Sequence, residues 1–235
     1  MREIQKGQRL SQYLSSRTGS LYLTRMRTSR SFFLALFELF FFFSTAYTSS
    51  AQETQGSRIV SAARTQVGKT VIYDPAYVRL DYPGGDVPLT KGVCTDVVIR
   101  ALRDALDMDL QQLVHEDMKE AFSEYPDKWG LKKPDPNIDH RRVPNLKCYF
   151  KRKGYSVGVS RRKKDYLPGD VVTCMLDGNR PHIMIVSDKK TRAGVPLVIH
   201  NIGRGAKEED RLFEFPLTGH YRIKMEEVRE AERTR

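Results

Sequence analysis

Residues 91–106 read KGVCTDVVIRALRDAL, and the way this stretch folds decides the rest of the chain. Val97, Val98, Ala101, Leu102, Ala105 and Leu106 fall on one stripe at helical spacing, while Arg100, Arg103, Asp104 and Asp107 face away from it. Thr95 and Asp96 suit a first helical turn, where free N–H groups and the positive end of the dipole favour oxygen and negative charge. Cys94 therefore stands at or next to the N-cap. It is either a packed thiol that happens to begin a helix or a nucleophile placed in the helix's field, and the remainder of the chain bears on that choice.

Upstream, residues 57–67 carry Ile59, Val60, Ala63 and Val67 at helical spacing and stop at Gly68, which predicts a first helix. Residues 70–92 hold three prolines and three glycines without sustained periodicity and read as an ordered, tyrosine-rich loop. Downstream, the pattern predicts helices over 110–122 and 144–153, separated by a long polar loop. The period then changes. DVVTCML, HIMIVSD, LVIHNI and RLFEF are short β-branched or aromatic runs separated by turn-rich segments. Helices first and an antiparallel meander second is an α+β arrangement.

The first 51 residues hold a basic segment with Arg25, Arg27 and Arg30, the apolar run FFLALFELFFFF at 32–43 and the small polar tail STAYTSSA. That order is a secretory signal peptide: the run is shorter than the roughly 20 apolar residues a span requires, and Ser49 and Ala51 offer a small-x-small cleavage site, with Ala46 a second. Met26 reads as the natural start. After cleavage, residues 52–235 form a single domain with 33 basic and 27 acidic side chains, a net charge of +6 instead of +11. No transmembrane segment is then expected, and an exported chain argues against nucleic acid as partner. The expected location is the periplasm or the outside of the cell.

Three cysteines, Cys94, Cys148 and Cys174, are an odd number for an oxidising compartment, so at least one stays unpaired within the monomer. Cys148 and Cys174 either pair or are buried. A nucleophilic cysteine needs a base and a stabilised thiolate. The candidate base is His182 in NRPHIMIVSD, which opens a strand straight after a turn. His200 in LVIHNIGRG, near the end of the next strand, is placed to orient it, and pairing of 182–188 with 197–201 is expected to bring the two rings side by side on the helix-facing surface. His115, Asp117, Asp139 and His140 lack a zinc-like spacing with cysteine, so neither metal nor cofactor is expected. Between Arg141 and Lys164 stand ten basic residues and no acidic ones; the lysines read as a solvated face, whereas Arg141 or Arg142 suits a substrate carboxylate.

GVCTDVV opening a helix, YLPGDVVT entering a strand, PHIMIVSD and then LVIHNIG resemble, in order, the blocks of the NlpC-type papain-like cell-wall cysteine peptidases. Over residues 63–221, with YDPAYVRLDYPGGDVP, HEDM and PNIDHRRVPNL included, the chain resembles the YijF-like domain-of-unknown-function family of bacterial envelope proteins, related to that superfamily. The resemblance implies a papain-like α+β fold with N-terminal helices packed on an antiparallel meander or small barrel. It implies an exported cysteine hydrolase that cleaves an amide bond in peptidoglycan stem peptides through a thioester, with Cys94 as nucleophile, His182 as base and His200 as orienting residue. The group's upstream tyrosine corresponds to Tyr82 before Gly84 and Gly85, with Tyr73 as rival. Where those enzymes carry Asp-Cys-Ser-Gly, this chain has Val93 before the cysteine and Asp96 two residues after it; Asp96 would oppose thiolate formation unless it points away or binds a substrate amine. The loops 135–142 and 73–85 are expected to wall one cleft over Cys94, lined by Tyr73, Tyr82, Asp139 and Arg142, with His140 and Arg141 also expected to bind substrate. The competing class is a non-catalytic envelope module that binds murein or a protein partner.

Overall fold

The computed structural model describes residues 53–224, which fall within one compact unit. The leader and its cleavage sites lie outside the described residues. Four helices and two sheets follow in order: α1 (Gln55–Arg64), β1 (Ile72–Tyr73), β2 (Lys91–Gly92), α2 (Cys94–Leu106), α3 (Leu110–Glu120), α4 (Val143–Arg152), β3 (Val171–Leu176), β4 (Arg180–Lys190), β5 (Pro196–Asn201), β6 (Ala206–Glu209) and β7 (Leu217–Tyr221). Strands β3 to β7 form one antiparallel sheet in the order β6-β5-β4-β3-β7, and β1 pairs with β2 in parallel.

The period-2 alternation of the central strands divides the core. Val171, Ile183, Ile185 and Ile199 face the helices and join Val97, Val98, Ala101 and Leu102 of α2 and Ile59, Val60 and Ala63 of α1 in the main cluster. Val172, Cys174, Met184, Val186 and Val198 face the other way, against Tyr166 and Leu212. α2 thus lies on β4 and β5 with its N-terminus at the end of the sheet where β4 begins.

The Pro-Gly-Asp strand entry has a physical explanation. Gly169 adopts φ +85° and abuts Gly56 of α1, where a Cβ would come within 2.6 Å of the Gly56 Cα. Asp170 then turns inward, accepting from His220 Nε2 at 2.7 Å and from Arg222 Nε and Nη2 at 2.8 Å. Only glycine permits that contact, and only a hydrogen-bonded acid is tolerated at that depth.

Two expectations need correction. The run RLFEF is not a strand: Leu212 caps the second cluster and Phe213 packs edge-on against Tyr166 at 5.3 Å, so these apolar side chains serve a covering loop. The last two strands are β6, whose Lys207, Glu208 and Glu209 belong to a charged sheet edge, and β7. The helices predicted over 57–67 and 110–122 also overrun: α1 ends at Arg64, with turns leading to Gly68 at φ +78°, and Phe122 belongs to a 3-10 turn after α3. Of the two alternatives for Cys148 and Cys174, pairing is not realised: all three cysteines are free, with Cys174 buried and Cys148 partly exposed.

Candidate active site

Cys94 is the first residue of α2, with Val93 in extended conformation before it. Asp96 accepts the Val93 N–H at 2.6 Å, which caps the helix from within its first turn. The approach to the helix is fixed from the sheet, because Asn201 Nδ2 donates to the Gly92 carbonyl at 2.9 Å. Its thiol lies against the N–H of Ile183, the residue after His182.

His182 Nε2 and His200 Nδ1 are 2.8 Å apart, and His200 Nε2 lies 3.0 Å from Glu209 Oε1. The expected pairing of the two rings is therefore present. Their face differs from the expectation: β4 and β5 alternate, so His182 and His200 leave the sheet with Met184 and Val198 and not with the helix-packed isoleucines. Among the described residues no hydrogen bond joins Cys94 to either ring. What meets the thiol is the N–H of Ile183, the residue that follows His182 in β4.

One end of this chain of rings fixes its tautomers. A carboxylate only accepts, so His200 carries its proton on Nε2 and presents a bare Nδ1. His182 must then donate from Nε2, which leaves the lone pair of its Nδ1 as a base. Glu209 was not legible as a site residue; it reads as one charge among several in a turn, and only the β5–β6 register carries it to His200. It is itself held by Arg211 Nε at 3.0 Å.

At rest the site is neutral. Burial, then the carboxylate of Asp96, push the Cys94 thiol up to about 12, although the Ile183 N–H works the other way. The stabilised thiolate that a nucleophilic Cys94 needs is thus opposed in the free protein. Burial, then His200 and Arg211, push His182 down to about 3, and burial lowers His200 despite Glu209.

A cleft of about 470 Å³ opens over the thiol, lined by Tyr73, Val93, Cys94, Trp129, Ile138, Arg141, Arg142 and Pro181 among others. The two loops expected to wall it do meet there, through Tyr73 and Ile138, but not through all the residues named. Tyr73 is in place, its hydroxyl pushed up to about 12 by burial, then by Cys94 and Asp96. Tyr82 is not: it lies edge-on to His115 at 5.2 Å, away from the cleft lining. Asp96 and Arg141 are spent on each other, with Nε–Oδ1 and Nη2–Oδ2 both 2.9 Å, and neither is free for a substrate charge. Arg141 also donates to the carbonyls of Ala76 and Asp74, so it ties the tyrosine loop to α2. His140 is buried behind the cleft, its Nδ1 unpartnered and its basicity pushed down to about 4 by burial and then Arg141. Asp139 lines a neighbouring cavity and holds Arg142 at 3.1 Å. Arg142 borders both spaces and lies 4.1 Å over the ring of Trp129, which sequence reading missed because its loop has no periodicity.

Residues 60–223 match the family described as Domain of unknown function (DUF1287). The uncharacterized protein YijF of Escherichia coli (strain K12) is 58% identical over 164 residues, 70% of this chain and 80% of that protein. Among solved structures, NlpC1 from Trichomonas vaginalis aligns at a TM-score of 0.39 and 15% identity, over 74% of this chain and 46% of its own, so the chain spans less than half of that protein. By the extent of the family match, the chain belongs to the DUF1287 family.

Proposed function

We propose that this protein is an exported cysteine hydrolase of papain-like fold that cleaves an amide bond in peptidoglycan stem peptides. The observation that carries the chemistry is the chain Glu209–His200–His182, whose last ring belongs to the residue next to Ile183, the N–H of which touches the Cys94 thiol. Cys94 Sγ attacks the amide carbon and its proton passes to His182 Nδ1. His200 and Glu209 stabilise the imidazolium that forms, and the same nitrogen then protonates the leaving amine. Water cleaves the resulting thioester with His182 again as base. Because thiol and imidazole are both neutral at rest, ionisation is coupled to occupation of the cleft, where substrate displaces water and closes the distance between the two groups. The substrate class follows from the expected export of the chain and from fold resemblance, not from the geometry.

The buried, neutral thiol specifically favours the second reading, a module that binds murein fragments without cutting them. An isotopically labelled stem-peptide aldehyde separates the two. A nucleophilic Cys94 converts the aldehyde carbon to a hemithioacetal, seen by NMR and lost in Cys94→Ala and His182→Ala. A binding module shifts protein resonances while the aldehyde carbon stays trigonal.

A further inference from the structure

The segment after α4 carries charge and apolar surface that the thiol cleft does not use. From Lys151 to Lys164 the chain has seven basic side chains and no acidic one. Arg161, Arg162, Lys163 and Lys164 are all exposed, and the next residue, Asp165, is engaged by Arg162 at 2.9 Å and by Ser160 at 2.6 Å. Apolar side chains stand among these charges: Val157, Val159 and Leu167 are 42%, 49% and 46% exposed. All three border one depression of about 480 Å³, together with Arg162 and Lys164. Leu167 also borders an adjoining groove of about 360 Å³, whose walls include Ile59, Pro168 and Ile223.

The valines do not sit on a slack loop. The Val157 N–H donates to the His220 carbonyl at 3.0 Å, His220 Nδ1 lies 3.1 Å from the Gly158 carbonyl, and the Tyr166 hydroxyl donates to the Ser160 carbonyl at 2.6 Å. His220 and Tyr166 are each 2% exposed and stack with ring centroids 4.3 Å apart. The core therefore fastens the backbone of 157–160 and holds both valines out into water, an arrangement that a covering partner relieves.

Charge and shape together select that partner. A soluble polyanion would neutralise the basic side chains and leave the valines in water, whereas an anionic bilayer meets both groups at once. We infer that this end of the domain is a docking surface for an anionic phospholipid bilayer, with Val157, Val159 and Leu167 entering the headgroup boundary and Arg161, Arg162, Lys163 and Lys164 against the lipid phosphates. Leu167 lies just before β3 begins at Val171, while Asn179 and Pro181, just beyond its end at Leu176, border the thiol cleft. The two surfaces are thus at opposite ends of β3, and docking leaves the cleft over Cys94 facing away from the lipid.

Flotation of the leader-cleaved chain, residues 52–235 of one compact unit, with vesicles tests the assignment. The protein is expected to float with phosphatidylglycerol vesicles, to stay behind with pure phosphatidylcholine, and to be released by about 0.5 M salt. The double variant Arg161→Gln, Lys164→Gln is expected to weaken binding about 30-fold. Val157→Ser with Val159→Ser is expected to weaken it about tenfold while keeping the salt dependence. All four positions are exposed, so both variants should keep the wild-type circular dichroism. Cys94→Ala is expected to bind as wild type does, so this inference and the hydrolase reading fail separately. No flotation, equal flotation with both lipids, or undiminished binding by either double variant would each overturn the assignment. Binding of heparin without binding of vesicles would overturn it in favour of a soluble polyanion.

Discussion

Arg141→Ala tests whether Asp96 is a structural acid rather than a substrate ligand. Asp96 is 3% exposed and receives three donors: the Val93 N–H at 2.6 Å and two guanidinium N–H groups at 2.9 Å. Removing Arg141 leaves a buried carboxylate with one donor and deprives the carbonyls of Ala76 and Asp74 of theirs. Breaking such a pair from one side costs about 3–5 kcal/mol, a large fraction of the roughly 5–15 kcal/mol that holds a domain together. For a domain of this size the melting temperature should fall by roughly 6–20 °C, read by thermal circular dichroism. The double variant Arg141→Ala, Asp96→Asn removes the stranded charge and should recover part of the loss, so the two effects are not additive. A single variant that melts within about 2 °C of wild type would refute the reasoning, as would strict additivity.

Iodoacetamide at pH 8 should modify the partly exposed Cys148 before Cys94, because the Cys94 thiol is buried and pushed up to about 12; peptide mapping reads the order, and prior modification of Cys94 would contradict it. Asp96→Asn should lower the Cys94 pKa, since that carboxylate raises it, and the pH dependence of alkylation measures the change. Glu209→Gln, whose side-chain amide can donate to His200 and reverse the tautomer order, should lower turnover by about 100-fold or more with little effect on substrate binding; unchanged turnover would remove Glu209 from the relay. Acid should destabilise the fold in two windows. His182, lowered to about 3, and His140, lowered to about 4, stay neutral in the fold, so stability is full above the unfolded pKa near 6.5 and falls as pH drops from there toward 3. Glu208, which burial alone would raise, is held down to about 2 by Arg64, Lys189 and Ser187, so its contribution of about 1–3 kcal/mol is lost between pH 4.5 and 2. Urea titrations at stepped pH follow both, and stability that is flat from pH 7 to 4 would contradict the first.

What was legible in the sequence is what period and local chemistry encode. The stripe from Val97 to Leu106 gave α2 and put Cys94 at its start, and the spacing of two strands gave the contact between His182 and His200. What escaped depends on contacts far apart in the chain. Asp96 and Arg141 are separated by 45 residues, and no local signal marks them as partners. The aromatic run RLFEF carries a strand's composition but spends it on covering Tyr166 and the second cluster, while β6, rich in charge, pairs at an edge where charge is tolerated. The face of the two histidines was misjudged because alternation is fixed by the isoleucines between them, which the helices claim first.

The most direct measurement of the central claim is digestion of purified murein sacculi by wild-type protein and by Cys94→Ala, with soluble products separated and identified by mass spectrometry. Wild type is expected to release stem-peptide fragments that each gain one water across a single amide bond, and Cys94→Ala is expected to release none while keeping its fold. Release of the same fragments by Cys94→Ala, or intact sacculi after incubation with wild type that still binds them, would contradict the claim.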